Sequence, residues 1–154
     1  MTVRIVSMIE VPADPDDAYR AFVARIGEWW HADGPYWNDA ERRVVMRMEP
    51  GPAGRLVEVH EAATGDGFEV GRIVGWQPGQ RLAFLWRQAN WEPTEATEVE
   101  VLFESLPVTT GPRTRVTLAH SGWERVQSDP TAHEGYREGW DELLGWYADA
   151  VSKG

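Results

Sequence analysis

The sequence predicts an α+β domain in which a curved antiparallel sheet of about seven strands wraps around a long C-terminal helix. Two short helices are expected after the first strand. Two observations carry this prediction. Between residues 42 and 123 apolar and polar residues alternate with a period of two, and the C-terminal segment bears an apolar stripe at helical spacing. A chain of 154 residues is most simply one domain, spanning 1–154.

The N-terminal region predicts a strand followed by a helix. Residues 3–11 are rich in β-branched side chains, and Pro12 ends the strand. Asp14 can cap the following helix, and Pro15 suits its first position. The next apolar residues recur at spacings of three and four, which predicts a core-facing helix. They are Ala18, Tyr19, Phe22, Val23 and Ile26.

A tryptophan-rich stretch, IGEWWHADGPYW, follows this helix at residues 26–37. It contains three of the nine tryptophans together with turn-forming residues. We expect a short helix and a loop here, with Trp29, Trp30 and Trp37 at the mouth of a cavity and their N–H groups free to meet water or ligand. A hydrophobic plug that closes the core is the alternative.

The central region predicts an antiparallel meander. Val44, Met46 and Met48 alternate with polar residues, and glycines mark the turns between later strands. Those strands are predicted at residues 55–61, 67–76, 81–87, 98–104 and 114–122.

The C-terminal segment predicts one long helix over about 130–151, opened by Asp129-Pro130 and capped by Ser128 or Asp129. Its apolar stripe would face the sheet. The stripe consists of Tyr136, Trp140, Leu143, Leu144, Tyr147 and Val151.

A curved sheet cannot touch a helix along its whole length, so a ligand cavity is expected between them. His120 shares its strand face with Val116 and Leu118 and is the predicted polar contact, either orienting a ligand or moving a proton. A core histidine with satisfied hydrogen bonds is the structural alternative. The predicted wall consists of Trp30, Phe84, Trp86, Val101, Phe103, Leu118, Trp140 and Leu144.

Several stretches resemble the SRPBCC superfamily (START and Bet v 1-like), specifically its branch similar to the C-terminal domain of the activator of Hsp90 ATPase. They occur in the family's order and cover nearly the whole chain. They are VPADPDDAYRAF with EWW, EPGPAGRLVEV, GRIVGWQPGQRLAFLW, LAHSGW and YREGWDELLGWY. In EPGPAGRLVEV, Ala53 stands where a second glycine is common.

The resemblance implies a helix-grip fold with a cavity under the long helix that holds apolar or amphipathic ligands. It carries no shared catalytic motif. The co-chaperone activity in the name transfers poorly, because the eukaryotic activator works through a separate N-terminal domain as well.

Composition excludes several classes of function. The chain has no cysteine, and its formal net charge of −10 argues against nucleic-acid binding. No apolar run could span a membrane and no signal peptide is evident, so a cytoplasmic protein is expected. Arginine supplies almost all the basic charge, which suggests a GC-rich bacterial genome.

No metal site and no cofactor are predicted. The four histidines have no ligand-like spacing, and the glycines near Gly65 form a turn rather than a dinucleotide fingerprint.

We therefore expect a protein that binds a small hydrophobic or amphipathic molecule in the cavity. One alternative is a cyclase- or lyase-type enzyme that uses the same cavity, with catalytic residues unknown beyond His120. Another is a protein-interaction module related to co-chaperones. The sequence leaves the oligomeric state open, and a homodimer is possible.

Overall fold

The computed structural model describes residues 2–154. These residues form one seven-stranded sheet and three α-helices, with a 3₁₀ turn at Trp123–Arg125. The strands are β1 (Ile5–Val11), β2 (Val45–Met48), β3 (Arg55–Val59), β4 (Gly67–Gln77), β5 (Arg81–Trp86), β6 (Thr97–Ser105) and β7 (Thr114–Ser121). The helices are α1 (Pro15–Ala24), α2 (Ile26–Trp29) and α3 (Tyr136–Ser152).

The sheet is antiparallel throughout, in the order β1-β7-β6-β5-β4-β3-β2. Strands β2 to β7 lie side by side in the order of the sequence, whereas β1 pairs with β7, so the first strand lies beside the last. This closes the long strands into a curled sheet around α3, as the sequence predicts. The predicted strand faces are confirmed: Val99 and Val101 on β6 are buried, as are Val116 and Leu118 on β7.

Curvature of the sheet has local causes in β4. Its register shifts against β3 between Leu56 and Val57, and against β5 between Ile73 and Gly75. Such irregularities bend a strand and increase its twist. Gly71 lies between them, where a Cβ atom would approach the carbonyl oxygen of Leu85 to 1.6 Å. Only glycine permits this close contact.

The start of α1 is as predicted. The Asp14 carboxylate accepts the backbone N–H of Asp17 at 2.8 Å, and Pro15 occupies the first helical position. This cap satisfies one of the free N–H groups at the helix start. The inward face carries Ala18 and Phe22, both buried.

The predicted start of the C-terminal helix is wrong. The helix begins at Tyr136 rather than near Pro130, and neither Ser128 nor Asp129 caps it. The Asp129 carboxylate instead accepts the backbone N–H and the hydroxyl of Thr131, which forms a turn. Gly135, with φ of 84°, is the residue before the helix. Because this backbone conformation is left-handed, no helix can run through it.

Polar contacts fix α3 against the elements around it. Asp141 accepts a hydrogen bond from the Ser7 hydroxyl on β1. The Tyr147 hydroxyl donates to the carbonyl of Ala18 on α1 at 2.7 Å. None of the helices within residues 2–154 is both long and apolar enough to cross a membrane.

Candidate functional site

A cavity of about 250 Å³ lies between the first turns of α3, the β2 to β5 side of the sheet and the loop after α2. Ligand pockets typically measure about 300–1,000 Å³, so this one is small. An apolar cavity of about 150 Å³ holds benzene, so there is room for a somewhat larger molecule. The lining consists of Trp30, Pro35, Tyr36, Trp37, Asn38, Met46, Val70, Trp86, Gln88, Glu134, Gly135, Tyr136, Gly139, Trp140 and Leu143.

Three tryptophans from separate elements meet at this cavity. Trp30 follows α2, Trp86 ends β5, and Trp140 lies in α3. The ring centroids of Trp30 and Trp86 are 6.2 Å apart, and those of Trp86 and Trp140 are 5.4 Å apart. The Trp30 and Trp140 rings are nearly perpendicular, at 85°. Such edge-to-face pairs stabilise one another beyond their buried area.

The expectation that rim tryptophans offer free N–H groups is wrong. Each indole N–H of the lining donates to an acceptor within the protein, so the rings present apolar surface and no donor to a ligand. The pairs are Trp30 with the Tyr36 carbonyl (3.0 Å), Trp37 with the His31 carbonyl (3.1 Å), Trp86 with the Tyr136 hydroxyl (2.9 Å) and Trp140 with His120 Nδ1 (3.0 Å).

Strand alternation correctly turns His120 inward, but the side chain is fully buried and does not line the cavity. The indole of Trp140 can only donate, so His120 Nδ1 is the acceptor and Nε2 carries the hydrogen. Nε2 lies 2.6 Å from the Thr97 hydroxyl, which itself donates to the carbonyl of Trp86. The ring is therefore neutral and uses both nitrogens.

Burial lowers the pKa of His120 to about 3, so the imidazole stays neutral at physiological pH. It touches no ligand space and has no free nitrogen for proton transfer. Its hydrogen bonds orient Trp140 and, through Thr97, the end of β5 that carries Trp86. His120 is therefore a core histidine with satisfied hydrogen bonds, which was the structural alternative. It holds the residues of the cavity wall in position without contacting the cavity.

The predicted site residues divide into two groups. Trp30, Trp37, Trp86 and Trp140 line the cavity. The others, apart from His120, are buried in the core outside the lining: Trp29, Phe84, Val101, Phe103, Leu118 and Leu144. Trp29 donates its N–H to the carbonyl of Phe22 at 3.1 Å, which fixes it in the core rather than at the mouth.

A buried carboxylate holds the loop that closes one side of the cavity. Glu58 on β3 is fully buried and accepts the backbone N–H groups of Asn38 at 2.7 Å and Asp39 at 2.8 Å. His60 lies 2.7 Å from its second oxygen. The Asn38 side chain in turn accepts the N–H of Ala89, beside the lining residue Gln88.

The charge of Glu58 is sustained by these partners. Burial alone would raise its pKa, but the hydrogen bonds from His60 and from the Asn38 and Asp39 backbone together lower it. The carboxylate therefore stays ionised and keeps the loop in place near neutral pH.

The other end of the loop packs on α3. His31 stacks on Trp146, with ring centroids 4.0 Å apart, and the Tyr36 hydroxyl donates to Glu142 at 2.6 Å. A Cβ atom at Gly34 would meet the Trp146 ring at 2.7 Å, so glycine allows the loop to lie flat on the helix. The tryptophan-rich stretch thus forms a fixed cover of the cavity.

Within residues 2–154, no group of three or more histidine, cysteine, aspartate or glutamate side chains is arranged to hold a metal ion.

A family model described as Activator of Hsp90 ATPase homolog 1-like protein matches residues 12–146. The chain belongs to this family. The sequence resemblance is thereby confirmed, and so is the helix-grip fold that it implies. No curated protein matches the sequence significantly.

Solved structures share the fold at low sequence identity. CalC, a self-sacrificing resistance protein from Micromonospora echinospora, is 21% identical over 99% of this chain and 94% of that one, with a TM-score of 0.67. The Aha1 dimer from Colwellia psychrerythraea is 20% identical over 97% and 96%, with a TM-score of 0.62. Protein MLL2253 from Mesorhizobium loti is 16% identical over 98% of both chains, with a TM-score of 0.62. At these identities the likeness concerns the fold alone.

In this family member, sequence reasoning missed the residues that shape the cavity around the tryptophans. Glu58 carried no signal, because Val57 and Val59 flank it in β3, and a charged residue between two apolar ones predicts a solvated carboxylate. Tyr36 lies in the loop beside Trp37 and could have been found as a further aromatic residue of the stretch. Tyr136 and Leu143 were recognised only as members of the helix stripe.

Proposed function

We propose that this protein binds a small hydrophobic or amphipathic molecule in the cavity between the sheet and α3. The observation that carries the proposal is the corner formed by Trp30, Trp86 and Trp140. Their rings lie at the cavity and their N–H groups are already bonded within the protein. A wall of this kind contacts apolar surface and requires no polar partner from the ligand.

Two side chains of the lining supply polar contacts. The Tyr136 hydroxyl accepts the N–H of Trp86, and within residues 2–154 its own hydrogen has no acceptor. Burial raises the pKa of Tyr136, so the hydroxyl remains a donor. The Gln88 amide likewise makes no side-chain hydrogen bond within the described residues, and both side chains border the cavity. Together they suit one polar group on an otherwise apolar molecule.

The geometry supports binding better than catalysis. A cyclase or lyase would need a titratable group poised inside the cavity, and His120 is committed to Thr97 and Trp140. The titratable side chains of the lining are Glu134, Tyr36 and Tyr136. Burial, followed by the hydrogen bond to Glu142, raises the pKa of Tyr36 to about 12, which makes it a poor base near pH 7.

The surface gives less support to a protein-interaction module. Among the described residues, the exposed large hydrophobic side chains are Met8, Val44, Val74 and Val108. Met8 lies on β1 and Val74 on β4, strands that are not neighbours, and the other two lie outside the strands. Interaction sites usually present a continuous apolar patch.

Native mass spectrometry of freshly purified protein tests the proposal directly. We expect an additional mass, bound to the folded chain and released on denaturation, that identifies a hydrophobic or amphipathic compound. Protein purified without any retained compound must then bind an added apolar probe, or the proposal fails.

The added probe is 2-methoxynaphthalene, a small neutral fluorophore. Trp30→Ala should weaken its binding by about tenfold, because an aromatic wall is removed. Trp76→Ala is the matched control, since Trp76 packs on Tyr19 away from this cavity, with ring centroids 5.3 Å apart. Circular dichroism verifies that each variant folds. If Trp30→Ala does not fold, Trp30→Phe replaces it in the binding measurement. Equal effects at both positions would contradict a site at Trp30.

We also propose that the protein acts in the cytoplasm and forms a homodimer. The structure of an Aha1 dimer from a relative with the same fold supports the second point. Light scattering during size-exclusion chromatography, at two protein concentrations, should give twice the mass of the 17.4 kDa chain. A monomer at both concentrations would contradict it.

A further inference from the structure

The charge in the lining of the cavity is negative. Glu134 is the charged residue of the lining, and no lysine, arginine or histidine within residues 2–154 belongs to that lining. A second carboxylate, Glu142, lies 2.6 Å from the hydroxyl of the lining residue Tyr36. The whole chain carries a formal net charge of −10. A positively charged molecule is therefore attracted to this opening, and an anion is repelled.

The aromatic walls act in the same direction. Aromatic faces carry negative potential and attract cations that lie within about 6 Å of the ring centre, and tryptophan does so most strongly. Trp30 and Trp140 meet at 85°, and Trp86 meets Trp140 at 63°. Rings at such angles form the corner of a cage. The Tyr36 hydroxyl donates a hydrogen bond to the Glu142 carboxylate. This bond increases the electron density of the tyrosine ring, so the negative potential of its face becomes stronger.

We propose that the ligand carries a cationic amine, a tertiary or quaternary ammonium group, on a compact apolar body. This rests on the proposed function and adds the chemical class of the ligand. The apolar body packs on the tryptophan rings, and the ammonium group lies among the aromatic faces near Glu134. Quaternary ammonium groups suit such a place because they offer no N–H and need no hydrogen-bond acceptor.

The N-terminus of α3 also borders the cavity, and its positive electrostatic potential opposes the attraction of a cation. A helix N-terminus carries about half a positive charge and favours anions. Glu134 lies just before the helix and Glu138 lies in its first turn, so two full negative charges oppose that partial one. Within the described residues, the first turn has no basic side chain besides Arg137, which is exposed and outside the lining.

Three probes of similar shape and different charge test the inference. They are phenyltrimethylammonium (positive), tert-butylbenzene (neutral) and benzenesulfonate (negative). Binding is followed by quenching of tryptophan fluorescence and by calorimetry at low ionic strength. We expect the cation to bind about 2- to 30-fold more tightly than the neutral probe, from the strength of cation–π contacts. The anion should bind most weakly.

The outcomes separate this inference from the proposed function. If the neutral probe binds as tightly as the cation or more tightly, the ammonium inference is wrong while the binding function stands. If none of the three probes binds and no retained compound is found, the proposed function itself fails, and the inference fails with it.

Two carboxylate variants locate the charge effect. Glu134→Gln should reduce the preference for the cation over the neutral probe by about two- to fivefold, the usual range for an exposed ion pair. Glu104→Gln is the matched control, because it changes the net charge equally but is exposed on β6 and lies outside the lining. It should leave the preference unchanged. An equal decrease in both variants would show a long-range effect of net charge and would overturn the assigned role of Glu134.

Discussion

The two halves of the space between the sheet and α3 differ in how they are filled. In the half beneath α1, Phe22 packs against Tyr147, Trp29 and Phe103, with ring centroids between 5.1 and 6.1 Å apart. In the other half, Trp86 and Trp140 border a cavity. The same sheet and the same helix form both halves. The difference is the element that covers them: α1 inserts a ring into one half, and only a loop covers the other.

The two halves also use polar groups differently. In the filled half the Tyr147 hydroxyl bonds to a backbone carbonyl and leaves no free group. At the cavity, polar side chains such as His120 and Glu58 lie behind the wall and fix it. A cavity that is not filled by side chains needs such support, because its walls lack contacts on one side.

The largest expected effect is in the filled half. Phe22→Ala should lower the free energy of unfolding by about 3–5 kcal/mol, because it removes a buried ring that nothing replaces. Urea denaturation measures this loss. The exposed Val74→Ala serves as a control and should change stability by no more than about 0.5 kcal/mol. A loss below about 1 kcal/mol for Phe22→Ala would mean that side chains in the filled half are packed no more tightly than those at the cavity.

The second prediction concerns His120 and pH. In the unfolded chain His120 takes up a proton below about pH 6.5, whereas the folded chain resists protonation until about pH 3. Protons therefore favour unfolding in that window, and this contribution to stability falls as pH decreases through it. Above pH 6.5 the contribution is constant.

His120→Gln should lower stability at pH 7 by about 1–3 kcal/mol, since buried partners lose hydrogen bonds. Between pH 7 and pH 5 the difference from the wild type should narrow by about 2 kcal/mol, because the variant has no imidazole to protonate. Urea denaturation at pH 5, 7 and 8 measures both effects. A constant difference over the whole range would show that the histidine titrates freely.

The third prediction tests the loop of the cavity. Glu58→Gln should cost about 1–2 kcal/mol of stability, because one amide oxygen replaces two carboxylate oxygens that accept several hydrogen bonds. It should also weaken binding of 2-methoxynaphthalene, since Asn38 and its neighbours lose their anchor. The exposed Glu61→Gln makes the same change in charge and is the control. Full probe affinity in Glu58→Gln would show that the loop holds its position without the carboxylate.

The smallest effect is expected at a glycine of α3. Gly139 lines the cavity, and a Cβ atom there would lie 3.4 Å from the Tyr36 ring. Gly139→Ala should raise stability by about 0.5–1 kcal/mol through helix propensity and weaken probe binding a few-fold by narrowing the cavity. Gly145→Ala has open space around its Cβ position and lies outside the lining, so it should only stabilise. Equal probe binding in both variants would argue against the cavity as the site.

The sequence by itself determined the elements and their inward faces. The period of two in the strands and the Asp14-Pro15 start of α1 are local signals, and local geometry decides which side chains of a strand share a face. Leu118 and His120 were therefore placed inward correctly. The start of α3 was misjudged because Asp129-Pro130 resembles a helix start, whereas the left-handed Gly135 ends any helical path before Tyr136.

Only the tertiary structure decided which inward side chains border empty space. Phe84 and Trp86 share one face of β5, yet only Trp86 lines the cavity. Leu144 is core, while its neighbour Leu143 borders the cavity. The periodicity of a sequence predicts which side chains are buried. Whether a cavity remains depends on how much space is filled by side chains from distant segments of the chain. Here those segments are α1, which contributes Phe22 at one end, and the loop held by Glu58 at the other. The hydrogen-bond partners of the His120 ring nitrogens are likewise 20 or more residues away in sequence. No local pattern encodes whether a buried ring will meet another side chain or a void.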